Sequence, residues 1–142
     1  MSDKIQVYAI NPILDGLNSW GDALQELLSP VSASDVSVTL GDLPDAPIKS
    51  ISNAYDCELV ALHTVRAALR AEEDGYDAVA MTCLDEPGGD AVREALHIPV
   101  TGAAQASMHM ASLTGRRFSF VLGGSGSFVG RWGGGHGVLE DL

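Results

Sequence analysis

The run from Tyr76 to Gly88, YDAVAMTCLDEPG, narrows the choice of folds more than any other part of the chain. Ala78, Val79, Ala80 and Met81 are consecutive apolar residues. A run that short, followed by turn formers, suits an interior parallel strand buried on both faces. Thr82, Cys83 and Leu84 come next, and then Asp85-Glu86-Pro87-Gly88 signals a turn. Proline is tolerated in the first turn of a helix, so the pattern predicts a helix from Pro87 to Leu96. Cys83 then stands at the carboxyl end of a strand, just ahead of a helix N-terminus. Open α/β sheets bind ligands at that edge. Helix N-terminal N–H groups also stabilise a thiolate, so the position predicts a depressed thiol pKa. The competing reading makes Cys83 a small buried hydrophobe, as most free cysteines are.

The rest of the chain repeats this alternation. Ile5 to Ile10 reads as a strand that Asn11-Pro12 ends. Asn18 or Ser19 is placed to cap a helix to about Leu28, with Trp20, Leu24, Leu27 and Leu28 at helical spacing. Val36, Val38 and Leu40 alternate with polar residues, which marks a strand with one face less buried. The loop GDLPDAPIKSIS should face the same carboxyl edge as Asn11 and Cys83. A long helix follows from about Ser52 to Asp74, with Leu59, Leu62, Val65 and Leu69 as the expected buried stripe. Ile98 to Gly102 reads as a strand, Ala103 to Leu113 as a helix and Phe118 to Leu122 as a last strand. Such alternation with short loops predicts a three-layer α/β/α lobe, Rossmann-like or flavodoxin-like, with a mostly parallel sheet of about four or five strands. The lobe would span residues 1–122. Residues 123–142 read as a glycine-rich tail, with eight glycines between Gly123 and Gly137. That stretch follows a strand but matches neither phosphate-loop nor dinucleotide spacing.

Composition excludes several classes of function. The chain has 142 residues and a formal charge of −11. The phosphates of nucleic acid demand a basic face, and anionic membrane surfaces disfavour such a protein as well. A small anionic substrate stays open, because clustered backbone N–H groups can overrule net charge. The two cysteines, Cys57 and Cys83, have neither zinc-site nor disulfide-framework spacing. The start of the sequence has no signal-peptide pattern, and no apolar run approaches a membrane span of about 18 residues. The expectation is a cytoplasmic protein with reduced thiols.

The segment from Thr82 to Val121 resembles the aspartate/glutamate/hydantoin racemase superfamily, and its hydantoin-racemase branch most closely. The residues that carry the likeness are Cys83-Leu84-Asp85-Glu86-Pro87-Gly88, then Pro99-Val100-Thr101-Gly102, then Met108-His109, then Arg117-Phe118-Ser119. Ile10-Asn11-Pro12 is similar to the branch's opening. The resemblance implies two pseudo-symmetric α/β lobes with the site between them. It implies one cysteine from each lobe, a thiolate taking the Cα proton while the opposite thiol returns one, and no cofactor or metal. Cys83 matches the first of those cysteines. The substrate would be a 5-substituted hydantoin or a related amino-acid derivative. Thr82, the N–H groups of Leu84 and Asp85, and Asn11 are the candidate contacts to its carboxylate or imide oxygens, and His109 is a candidate site-lining residue.

Three departures stand out. Ile13-Leu14 replaces an Asn-Thr pair, Gln105 stands where relatives commonly have glutamate, and no second cysteine matches. The implied second lobe would begin where this sequence ends. Three expectations follow. Two chains pair so that their Cys83 residues share a site, as a homodimer or higher oligomer. Alternatively, the chain is a truncated, non-catalytic or ligand-binding module. The third is single-cysteine decarboxylase or isomerase chemistry, which the superfamily also includes. Cys57, near the start of the long helix, reads as a packing residue. His63 reads as half-buried beside the helix stripe, His97 as a partner of a helix C-terminus, and His136 and Trp132 as tail residues. Asp85 and Glu86 read as loop or cap ligands, and for Asp85 the cap reading stands at least level with a catalytic one.

Overall fold

The computed structural model describes residues 4–32 and 35–120. The readings for the tail, His136 and Trp132 lie outside them. Four strands and four helices alternate: β1 (Ile5–Ile10), α1 (Gly16–Leu28), β2 (Val36–Gly41), α2 (Ala54–Glu73), β3 (Ala78–Met81), α3 (Gly89–Ala95), β4 (Val100–Gly102) and α4 (Ala103–Thr114). The strands form one parallel sheet in the order β2-β1-β3-β4. β1 therefore sits between the strand that follows it and β3, and the chain reverses its direction of travel across the sheet between β1 and β3. Ligand sites of open α/β sheets lie at the carboxyl end of such a switch point. Of the last expected strand, residues 118–120 are not in a strand and residues 121–122 lie outside the described residues.

One face of the sheet carries the core. Ile10 of β1 and Val79 of β3 pack with Val60, Ala67, Ala68 and Ala71 of α2, and Val92 and Leu96 close the cluster at α3. The expected stripe on α2 is rotated. Cys57, Val60, Thr64, Ala67, Ala68 and Ala71 are its buried residues, while Leu62 is 55% exposed. Small side chains let the helix axis approach the pleated surface closely, and Val65 and Leu69 then flank the contact from the sides. Asn53 caps α2 by accepting the Asp56 N–H at 3.0 Å. The opposite face of the sheet lies open between α1 and α4, as an apolar groove of about 360 Å3 along Val7, Val38 and Ala80.

Two helix starts differ from expectation. α1 begins at Gly16 after Asp15, which sits in the left-handed region at φ 53. The Asp42 carboxylate from the loop after β2 accepts the Leu17 N–H at 3.5 Å, a tertiary cap that local spacing does not reveal. α3 begins at Gly89 rather than Pro87. Glu86 and Gly88 both have positive φ, 44 and 75, so Pro87 is buried inside a tight turn instead of opening the helix. At Gly88 a side chain would also meet α2, because a Cβ there would lie 2.7 Å from the Ala61 carbonyl oxygen.

Candidate active site

The carboxyl edge between β1 and β3 is tied together by backbone. The Thr82 N–H and hydroxyl both donate to the Ile10 carbonyl, each at 3.0 Å. The Asn11 N–H donates to the Gly41 carbonyl at 2.7 Å. These bonds extend the ladder one residue past each strand and hold Asn11 and Thr82 side by side. Both line a cleft of about 420 Å3, together with Cys83 and Asp85. Its apolar wall comes from Ile13, Trp20, Leu24 and Ile51, and Lys49 and Ser50 bring polar groups from the loop after β2. That loop does reach the edge at which the sequence placed it.

Cys83 is half-buried, and Cys57 is buried on α2. Burial pushes the Cys83 thiol up from 9.0 to about 11. The N–H groups of Asp85 and Glu86 face the sulfur and pull the other way, while the nearby negative charges of Asp85 and Glu86 add to the rise. The sequence position predicts a depressed pKa, and the structure reverses it. The loop between β3 and α3 buries the sulfur and sets two carboxylates beside it, which outweighs two N–H dipoles. Cys83 is therefore a protonated thiol at neutral pH.

The other expected site residues divide. Asn11 and Asp85 are buried, at 7% and 6% exposure, and reach the cleft with Thr82. Leu84 is 37% exposed and its side chain is not part of the lining. His109 is exposed on α4 and also stands apart from the lining residues. Gln105 offers its backbone N–H to the Glu86 carboxylate at 2.9 Å. Sequence reasoning missed the wall from α1 and Ile51, and it missed Glu86 as an anchor. The helical spacing of Trp20 and Leu24 was visible, but it reads as ordinary core. Among the described residues no group of three His, Cys, Asp or Glu side chains is placed to hold a metal ion.

The fold and the site describe an open parallel α/β lobe with a shielded thiol at its switch point. Residues 20–127 match the Asp/Glu/Hydantoin racemase family, and the chain belongs to that family. Among curated relatives, a hydantoin racemase of Paenarthrobacter aurescens is 39% identical over 72 residues, covering 50% of this chain and 30% of that protein. A hydantoin racemase of Rhizobium meliloti is 31% identical over 118 residues, covering 82% of this chain and 47% of its own. In structure, the allantoin racemase from Klebsiella pneumoniae superposes with a TM-score of 0.69 at 27% identity, over 78% of this chain and 44% of that one. The chain thus spans about a third to a half of the length of the relatives it matches.

Proposed function

We propose that this lobe serves a cofactor-independent racemase or epimerase that exchanges the proton on a carbon next to a carbonyl, with Cys83 as the acting thiol. The observation that carries the reading is the placement of the Cys83 sulfur at the β1/β3 switch point, in one cleft with Asn11, Thr82 and Asp85. A hydantoin or a related amino-acid derivative is the substrate class, in keeping with the relatives named above. In one direction the Cys83 thiol gives its proton to the carbanion at Cα. In the other, the thiolate takes the Cα proton and becomes the thiol. At neutral pH the thiol form dominates, so the resting lobe is set up to deliver a proton. Developing charge on the carbonyl oxygen would be met by the Asn11 amide. We assign the second proton-transfer group, on the opposite face of the substrate, to a second copy of the chain across a twofold axis.

A second reading has a specific observation behind it. A thiol held protonated, with about one part in a hundred as thiolate even at pH 9, suits a lobe that binds the ligand without exchanging its proton. Proton NMR of a hydantoin and amino-acid panel in D2O separates the two. Loss of the Cα–H signal with wild type and not with Cys83→Ala supports the racemase reading, and sizing the active species tests the shared site. Saturable binding with no exchange would sink it in favour of the binding lobe.

A further inference from the structure

Glu86 is the least exposed charged side chain among the described residues, at 0%. A carboxylate taken out of water is costly unless it is paired and hydrogen-bonded. Here Oε2 lies 2.9 Å from Nη2 of Arg93 on α3. Oε1 accepts the Gln105 N–H at 2.9 Å in the first turn of α4, where the helix dipole favours negative charge. One side chain therefore joins the loop after β3 to two helices. Gly102, just ahead of α4, leaves the room for it, because a Cβ there would fall 1.9 Å from the Glu86 Cδ.

The backbone of the same residue shapes the thiol's surroundings. Glu86 has φ 44, a left-handed conformation that a residue with a Cβ keeps when its surroundings hold it there. Its N–H donates to the Cys83 carbonyl at 3.1 Å and, with the Asp85 N–H, faces the sulfur. The geometry points to Glu86 as a positioning residue: its anchored carboxylate locks the left-handed turn that holds the Cys83 sulfur in its shielded place. The catalytic meaning of this role rests on the proposed reading of Cys83, but the turn can be tested without any substrate.

Two kinds of force act on the sulfur, and they can be separated by sign. The charged groups around it are Asp85 and Glu86 of its own loop and Lys49 of the loop after β2. The α1 wall brings no charge to the cleft, and Asp15, in the loop after β1, pairs its carboxylate with Lys49. If Glu86 acts through its anchor, cutting either end of the anchor loosens the turn, hydrates the sulfur and lowers its pKa. Removing the Arg93 charge without loosening the turn would instead raise it.

The test is the pH profile of iodoacetamide alkylation, followed at each cysteine by peptide mass spectrometry, in wild type, Glu86→Gln and Arg93→Gln. In both variants the Cys83 midpoint should fall from about 11 towards 9.0, and the fall in Arg93→Gln is the diagnostic one, because Glu86→Gln also removes a negative charge beside the sulfur. At pH 8 that means about a hundredfold more thiolate, partly offset by weaker nucleophilicity, for a net gain of about tenfold in rate. Cys57 should react as in wild type, which separates a loosened turn from general unfolding. A folded Arg93→Gln variant with an unchanged or higher midpoint overturns the assignment. Should Glu86→Gln fail to fold, Arg93→Gln decides alone, since the Arg93 side chain is already 23% exposed. Wild type that exchanges no substrate proton would sink the racemase reading and leave this result standing.

Discussion

The raised pKa of Cys83 links the candidate site to the stability of the fold. Its thiol moves from 9.0 in a solvated chain to about 11 in the folded one, chiefly by burial. The protonated form is thus favoured by folding, and the unfolded chain loses its proton first as pH rises. Below pH 9 the effect on stability is flat. Between about 9 and 11 the unfolded state binds fewer protons than the folded state, so stability falls. At about 1.4 kcal/mol for each tenfold step in the proton equilibrium, two such steps bring the loss to about 2–3 kcal/mol. Urea unfolding of wild type and Cys83→Ala at several pH values from 7 to 11.5 measures it. Other groups that titrate in this range, Tyr8 among them, are common to both proteins and cancel in the difference. The stability of wild type relative to Cys83→Ala should hold constant to about pH 9 and then drop by about 2–3 kcal/mol. A difference that stays level within about 0.5 kcal/mol across the range would refute the claim that the fold shields this sulfur.

Two further substitutions probe the cleft and the core. A Cβ at Gly16 would lie 2.6 Å from the Asn11 Nδ2 and 2.8 Å from the Ile13 Cγ1, so Gly16→Ala should push the Asn11 amide and the neighbouring Ile13 side chain out of place. We expect at least a tenfold loss of substrate-proton exchange, or of ligand affinity in a binding lobe, with stability kept within about 1 kcal/mol; unchanged function would remove Asn11 from the site. On α2, Val60 is fully buried and Leu62 is 55% exposed. Val60→Ala should cost about 2 kcal/mol in urea unfolding and Leu62→Ala no more than about 0.5 kcal/mol, whereas the stripe read from sequence spacing demands the reverse order.

Much of the architecture could be read from local pattern. Short apolar runs closed by turn residues place β1 and β3, and Cys83 at the end of β3 follows from counting along the chain. Parallel pairing follows from the helices between the strands, because a parallel neighbour needs a crossover. The failures share one cause. α1 starts at Gly16 because a carboxylate from the loop after β2 meets its first turn. α3 starts late because Glu86 turns left-handed under constraints from α3 and α4. α2 buries its alanines because they let it lie closest to the sheet. Each depends on groups distant in sequence, which a periodicity argument does not see.

The sequence by itself determined the alternating α/β plan, the family-like turn around Cys83, and a thiol at a sheet edge as the chemistry on offer. Tertiary structure decided the state of that thiol. A strand end before a helix promises stabilising N–H groups, and they are present. Burial and neighbouring carboxylates outweigh them, because desolvation depends on how the whole lobe closes over the sulfur. It also decided what holds the turn in place, since the Glu86 carboxylate finds its partners at Arg93 and at the first turn of α4, where only the folded chain brings them within 2.9 Å.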